Sequence, residues 1–146
     1  MHRMWREHPP SDSFGGVKIG PLANKSVLSL GPNATVRQTA IKMIERGVGS
    51  AVILTEDGRP GIITERDLMR AMADGADADA VSVETYMTPD AITASPSWDV
   101  AEAGARMLAG GFRHLLVLSD DGTVTGVLSI RDLARALLEP DATPKS

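Results

Sequence analysis

The strongest constraint in this sequence is an internal repeat. The stretch "GIITERDLMRAM", which begins at Gly61, returns as "GVLSIRDLARAL", which begins at Gly126, with a glycine, a hydroxyl residue and an aspartate at the same spacing. Earlier positions correspond at an offset of 64 residues, as Pro32 does with Pro96, and after the Asp-Gly pairs the offset becomes 65. Such self-similarity predicts two copies of one supersecondary unit, each burying its apolar face against its neighbours.

Each copy carries the same order of local signals. A short apolar run precedes a proline, an amphipathic helix follows, and a glycine, Gly47 or Gly111, is expected to end that helix in the left-handed conformation. The buried strands "SAVIL" and "LLVL" then enter Asp-Gly turns, and the returning strands lead into second helices. The fold class is therefore α/β, as two β-α-β-β-α units. The predicted apolar helix positions are Val36, Ala40, Met43, Ile44, Leu68, Met69 and Met72 in the first copy and Val100, Gly104, Met107, Leu108, Leu133, Leu137 and Leu138 in the second.

These signals divide the chain into five segments. Residues 1–19, rich in Pro, Ser and Gly, are predicted to form a flexible arm, on which Trp5 could dock against the body. The first unit covers residues 20–75, and the acidic, alanine-rich stretch 76–86 is the linker. The second unit covers residues 87–140, and residues 141–146 form a tail.

Composition excludes several classes of protein. A chain of 146 residues with 42% hydrophobic and 23% charged residues is typical of a globular protein. A formal net charge of -4 gives no broad electrostatic reason to bind nucleic acid, and the absence of cysteine excludes disulfides and thiolate chemistry. No apolar run has the length of a signal peptide or of a span of about 20 residues. We therefore expect a cytoplasmic protein with neither nucleic acid nor membrane as a partner.

The repeated motif has two interpretations. Thr64 with Asp67, and Ser129 with Asp132, have the spacing of a helix capping box. Alternatively, the free N–H groups at the helix start and the hydroxyl would attract a phosphate, while the aspartate would accept the hydroxyls of a ribose. The glycine three residues before the hydroxyl would then let a flat base or sugar approach the backbone. The second interpretation describes a nucleotide site.

With these motifs, the chain resembles a tandem pair of CBS domains, the regulatory module named after cystathionine beta-synthase. The resemblance covers residues 20–140 and rests on the repeat length, the "MTP" lead-in at Met87 and both Gly-x-x-[Ser/Thr]-x-x-Asp motifs. It implies that the two units pack by pseudo-twofold symmetry and that two clefts between them bind adenosine nucleotides. It also implies a homodimer formed through the helices, a further protein partner that responds to the ligand, and no obligatory cofactor.

The resemblance also assigns residues to the clefts. Asp132 and Asp67 would each hold a ribose, with Ser129 and Thr64 near the ribose or phosphate and Val127 and Ile62 against the adenine. The opposite unit would complete each cleft, with Leu28, Val48, Gly49 and Ser50 facing the Asp132 cleft and Ile92, Phe112 and Arg113 facing the Asp67 cleft. Arg66 and Arg131 would either contact phosphate or remain solvated on the first helical turn.

The copies differ where the family places phosphate-binding side chains. The second copy has Arg113-His114 before its second strand, whereas the first has Gly49-Ser50. By the family's pattern Arg113 would also assist the Asp132 cleft, so the Asp132 site is expected to bind phosphate better. AMP, ADP, ATP, S-adenosylmethionine and NAD share the adenosine that the motif addresses.

Catalysis finds little support in the sequence. His114 is the only histidine outside the arm, and Ser129, His114 and Asp132 lack the Gly-x-Ser-x-Gly elbow of a hydrolase. We expect a stand-alone regulatory protein that senses an energy-related or other adenosine metabolite, not an enzyme. The alternative is a scaffold for protein association that binds no small molecule, in which the motif serves only as a helix cap.

Overall fold

A computed structural model of the chain describes residues 16–138, which form two compact units. The Asp67 unit comprises residues 26–91, and the Asp132 unit comprises residues 16–25 together with residues 92–138. The predicted docking of Trp5 and the predicted tail at residues 141–146 lie outside the described residues.

The Asp67 unit contains a three-stranded sheet and two helices. Strand β1 (Ser29–Leu30) pairs in parallel with β2 (Ser50–Ile53), which pairs antiparallel with β3 (Gly61–Thr64). Helix α1 (Val36–Arg46) connects β1 to β2, and α2 (Glu65–Ala73) follows β3 without a loop. A 3₁₀ turn at Val83–Thr85 completes the unit.

The Asp132 unit repeats this arrangement. Strand β4 (Thr93–Ala94) is parallel to β5 (His114–Leu118), and β5 is antiparallel to β6 (Val124–Ser129). Helix α3 (Val100–Gly110) connects β4 to β5, α4 (Ile130–Leu138) follows β6, and a 3₁₀ turn lies at Gly20–Leu22. The predicted β-α-β-β-α order is confirmed in both units, whereas their pseudo-twofold packing stays a prediction.

Glycine ends both connecting helices, as the sequence predicts. Gly47 after α1 has φ 67°, and Gly111 after α3 has φ 70°, so both adopt the left-handed conformation that costs other residues free energy.

The structure also contains turns at the two Asp-Gly pairs, as the sequence predicts. In the second turn, hydrogen bonds from the Ser119 hydroxyl and then from the Thr123 N–H lower the pKa of Asp121 from 3.8 to about 2. The Asp121 carboxylate thus joins the two ends of this turn by accepting both hydrogen bonds.

The segment that leads into each repeat packs on the unit formed by the other repeat. Asn24 pairs antiparallel with Val127 of β6, and Thr88 pairs in the same way with Ile62 of β3. Ile19, which precedes Asn24, is 0% exposed in the core of the Asp132 unit. At the equivalent position, Val83 is 0% exposed in the core of the Asp67 unit.

This exchange moves the boundaries of the compact units away from the boundaries of the repeats. Residues 20–25, which the sequence assigns to the first unit, belong to the Asp132 unit, and residues 87–91 belong to the Asp67 unit. Ile19, predicted to lie in a flexible arm, is instead fixed by its N–H, which donates to the Trp98 carbonyl at 2.9 Å. The physical reason is that each sheet edge and each core is completed by an apolar lead-in segment from the other repeat.

The helices bury a narrower face than their apolar pattern predicts. Met43 and Met107 are buried as expected, at 3% and 1% exposure. Ile44 and Leu108, at equivalent positions in α1 and α3, are 80% and 78% exposed, because each helix packs on its unit along one face only. The expectation that Met69 and Met72 on α2 are core residues was wrong, since both are exposed, and two apolar residues of α4 are exposed as well: Leu137 and Leu138.

One buried position in α1 is polar without a partner. Thr39 is 0% exposed, and among the described residues its Oγ1 has no hydrogen-bond partner, while Ala103 fills the equivalent buried position in α3. A buried hydroxyl without a hydrogen bond costs about 1–3 kcal/mol. The second repeat avoids this cost with an apolar residue.

Replacing Thr39 by valine is therefore expected to raise the free energy of unfolding by about 1 kcal/mol, because valine has the same shape without the hydroxyl. Urea unfolding followed by circular dichroism measures the change. Thr35→Val is the matched control, since the Thr35 hydroxyl caps α1 by accepting from the Gln38 N–H and its loss should cost about 1 kcal/mol. A lower stability of Thr39→Val would show that the hydroxyl has a stabilising partner.

Candidate functional site

The hydroxyl and the aspartate of the first motif form a capping box at the start of α2. Thr64 is in extended conformation, with φ -123° and ψ 169°, so that its side chain faces the free N–H groups of the helix. Its hydroxyl accepts from the Asp67 N–H at 3.4 Å, while the Thr64 N–H donates to Asp67 Oδ2 at 2.8 Å. Asp67 is 7% exposed, and the box fixes its carboxylate at the helix start.

The second motif forms the same box at the start of α4. The Ser129 hydroxyl accepts from the Asp132 N–H at 3.1 Å, and the Ser129 N–H donates to Asp132 Oδ2 at 2.8 Å. The Ser129 hydroxyl also donates to Oδ2 at 2.9 Å. The capping interpretation of the motif is thus confirmed in both units, and it engages one of the two carboxylate oxygens.

The second carboxylate oxygen distinguishes the two units. Arg70 Nη1 donates to Asp67 Oδ1 at 3.1 Å, so both oxygens of Asp67 are engaged. Across residues 16–138, no hydrogen bond or ion pair to Oδ1 of Asp132 is observed, although Arg135 occupies the position equivalent to Arg70. Asp132 therefore presents a fixed carboxylate oxygen that can accept a hydrogen bond from a ligand hydroxyl.

The glycine of each motif has a different role from the one expected. A Cβ on Gly61 would lie 2.8 Å from Met87 Sδ and 3.0 Å from the Thr88 carbonyl oxygen. A Cβ on Gly126 would lie 2.8 Å from Ala23 Cβ. The prediction that these glycines leave room for a base or sugar was wrong, because the lead-in segments occupy that space.

The residues before the second strand of each unit lie beside the same unit's motif. The Arg113 carbonyl accepts from the Ile130 N–H at 2.8 Å, and the Gly49 carbonyl accepts from the Glu65 N–H at 3.1 Å. His114 lies opposite Ser129 in the sheet. In the Asp67 unit, Ser50 is the counterpart of His114 and lies opposite Thr64 in the same way. Arg113 and Asp132 thus belong to one unit, and the assistance of the Asp132 site by Arg113 stays a prediction.

The other predicted site residues are distributed between the cores and the surface. Leu28 is buried in the core of the Asp67 unit and Val48 packs against that core, while Phe112 packs against the core of the Asp132 unit. Three further predicted residues are exposed: Ile92, Arg66 and Arg131. That residues of one unit face the aspartate of the other stays a prediction.

Sequence reasoning missed three residues that shape the sites, namely Glu65, Arg70 and Asn24. Asn24 lies beside Val127 through the pairing described above, and its counterpart Thr88 lies beside Ile62. The equivalence of the two lead-in segments was visible in the sequence, since the offset of 64 residues extends upstream to Val17 with Val81 and to Ile19 with Val83.

Two candidate sites are defined by these residues. The Asp67 site consists of Ile62, Thr64, Glu65 and Asp67 with Gly49, and the Asp132 site consists of Val127, Ser129, Ile130 and Asp132 with Arg113.

Family comparison identifies the class that this fold and motif define. The CBS domain model matches residues 19–74 and 83–139, one match for each repeat. The chain therefore belongs to the CBS domain family, as a tandem pair of CBS domains.

Relatives and solved structures agree with this assignment. An uncharacterized 17.7 kDa protein of Acidianus ambivalens is 42% identical over 124 residues, covering 84% of this chain and 74% of the relative. A CBS domain protein from Pyrobaculum aerophilum, solved in complex with AMP, is 33% identical with a TM-score of 0.72, covering 84% of this chain and 95% of that one. An uncharacterized conserved protein from Pyrococcus horikoshii is 28% identical with a TM-score of 0.70, covering 82% of this chain and 91% of that one.

Some relatives are much longer than this chain. The match spans 61% of an uncharacterized protein of Methanopyrus kandleri and 21% of a CBS domain-containing protein of Arabidopsis thaliana. Within residues 16–138, none of the helices combines the length and the apolar character needed to cross a membrane.

Proposed function

We propose that this protein is a regulatory module that binds an adenosine nucleotide, with AMP as the first ligand to test, through the carboxylate of Asp132. The observation that carries the proposal is the difference in hydrogen bonding between the two oxygens of that carboxylate. Oδ2 is held by the capping box, while Oδ1 is the oxygen to which no hydrogen bond is observed among the described residues. A carboxylate fixed in this way can accept hydrogen bonds from both hydroxyls of a ribose, and its side chain loses little entropy on binding because it is already held in place.

Features around Asp132 also suit the phosphate of a nucleotide. The start of α4 lies at the positive end of the helix dipole and favours a negatively charged group, although the Ser129 hydroxyl and the Ile130 N–H already donate to Asp132 Oδ2 and to the Arg113 carbonyl. Arg113 is exposed at the same end and adds a guanidinium. The relative from Pyrobaculum aerophilum, which is complexed with AMP, supports this choice of ligand.

Regulation requires that ligand binding be transmitted to another protein surface. We infer that AMP stabilises the start of α4, a helix that directly follows strand β6 and ends at the exposed apolar residue Leu138. The exposed apolar side chains of the helices in each unit provide surfaces for a homodimer or for a further protein partner. The output of the module is then a change in association, and the chain acts as a metabolite sensor.

Thermal unfolding in the presence of AMP, ADP, ATP, S-adenosylmethionine or NAD tests the proposal. A ligand at about a hundred times its dissociation constant should stabilise the protein by roughly 2.7 kcal/mol, which raises the melting temperature visibly. Asp132→Asn should abolish most of the shift, whereas Asp121→Asn, in the distant turn, should leave it unchanged. A cooperative melt that none of the five ligands shifts would favour the scaffold without a small-molecule ligand.

A further inference from the structure

The starts of α2 and α4 differ in charge at two pairs of equivalent positions, because one unit has an acidic residue and the other a basic residue where its counterpart is uncharged. The Glu65 carboxylate oxygen Oε1 lies 3.4 Å from the position that a Cβ on Gly49 would take. In the Asp132 unit the equivalent residues are Ile130 and Arg113. The main chain makes the same hydrogen bond in both units. The Glu65 N–H donates to the Gly49 carbonyl, and the Ile130 N–H donates to the Arg113 carbonyl. The Asp67 unit therefore carries a carboxylate beside residue 49, whereas in the Asp132 unit an arginine occupies the equivalent of residue 49 and an uncharged isoleucine the equivalent of residue 65.

The remaining charges at the two helix starts do not remove this difference. Each helix carries one arginine directly before its aspartate and another three residues after it: Arg66 and Arg70 in α2, Arg131 and Arg135 in α4. At the Asp67 site, the two arginines are balanced by Asp67 and Glu65, and Gly49 is uncharged, so the formal charges cancel. At the Asp132 site, the two arginines and Arg113 are opposed only by Asp132, and Ile130 is uncharged, so two positive charges remain. Arg70 is in addition bound to Asp67 at 3.1 Å, so part of its charge is already neutralised.

We propose that Glu65 makes the Asp67 site select an adenosine ligand that carries no negative charge on its 5′ substituent, while the Asp132 site takes the phosphate-bearing nucleotide. The inference rests on the proposed function and adds the ligand class of the second site. A phosphate brings between one and two negative charges at neutral pH. Glu65 repels these charges at the Asp67 site, whereas Arg113 attracts them at the Asp132 site. A nucleoside brings no such charge, and its ribose hydroxyls can donate to the remaining lone pairs of the Asp67 carboxylate, whose oxygens already accept from Arg70 and from the capping box.

The affinities of the single sites for adenosine and AMP test this inference by isothermal titration calorimetry. Asp132→Asn isolates the Asp67 site, where adenosine should bind about tenfold more tightly than AMP. Adding Glu65→Gln, which keeps the size of the side chain, should raise the affinity for AMP by about five- to tenfold and change that for adenosine by less than about twofold.

A reciprocal substitution provides the matched control. Asp67→Asn isolates the Asp132 site, where AMP should bind more tightly than adenosine. Adding Ile130→Glu places a carboxylate at the position equivalent to Glu65 and should weaken AMP by about tenfold while leaving adenosine within about twofold. Circular dichroism spectra and melting temperatures of all variants verify that each is folded.

The outcomes separate this inference from the proposed function. If AMP binds at the Asp132 site but the Asp67 site prefers AMP, binds neither ligand, or does not respond to Glu65→Gln, the inference is overturned and the proposed function stands. If the unaltered chain binds neither adenosine nor AMP, the proposed function fails and the inference fails with it.

Discussion

Replacing Ile19 by alanine is expected to lower the free energy of unfolding by about 3 kcal/mol. Ile19 is 0% exposed and packs in the core of the Asp132 unit with side chains of that unit's sheet and helices. Truncation to alanine removes buried methyl and methylene groups and leaves a cavity that the surrounding structure fills only in part. The loss is large for a domain of this size, whose total stability is about 5–15 kcal/mol.

The measurement is urea unfolding of the unaltered chain, Ile19→Ala and Val17→Ala, each followed by circular dichroism. Val17 belongs to the same lead-in segment but is 42% exposed, so its truncation should change stability by less than about 0.5 kcal/mol. Ile19→Ala with the stability of Val17→Ala would contradict the exchange of lead-in segments. A flexible arm ending at residue 19 would give that result.

Charged substitutions on the exposed apolar helix faces are expected to weaken self-association by more than a hundredfold. Ile44 and Leu108 occupy equivalent positions in α1 and α3 and are 80% and 78% exposed, so both are available to a partner surface. If both are covered in a homodimer, the double substitution Ile44→Lys with Leu108→Lys buries unpaired ammonium groups in that interface. Each such group costs several kcal/mol of association free energy.

Sedimentation equilibrium over a range of concentrations measures the dissociation constant of the dimer. Leu54→Lys is the matched control, because Leu54 is also exposed, at 52%, but follows a strand and lies on neither helix face. It should leave the dissociation constant within about threefold, the ordinary scale of a surface substitution. A monomeric unaltered chain at tens of micromolar, or an unchanged dimer in the double variant, would contradict dimerisation through the helices.

The repeat carried most of the prediction of the fold. Two copies of one hydrophobic pattern, with glycines at the helix ends and in the turns, specify the element order because each signal has a local physical cause. The lead-in exchange was not predicted, because the repeat offset shows only that the two lead-in segments are equivalent, while the pairing between Asn24 and Val127 joins segments about a hundred residues apart. Ile44 belongs to the predicted apolar face of α1 but is exposed, because periodicity defines an apolar face but not how much of that face a small sheet covers.

The candidate sites were predictable only in part. The capping boxes follow directly from the spacing of Thr64 with Asp67 and of Ser129 with Asp132. The difference between the aspartates does not follow, since arginine stands three residues after both and only the three-dimensional structure places Arg70 on Asp67. The contact between Glu65 and Gly49 likewise depends on side-chain position, although the charge difference itself is visible in the aligned repeats.

The most direct test of the central claim is a crystal structure of the unaltered protein soaked with AMP. The claim predicts ribose hydroxyls within about 3 Å of Asp132 Oδ1, with the capping bonds from Ser129 to Oδ2 kept. It also predicts that the phosphate lies near the start of α4 and contacts Arg113. AMP bound elsewhere with Asp132 uncontacted, at concentrations that saturate the protein in solution, would contradict the claim.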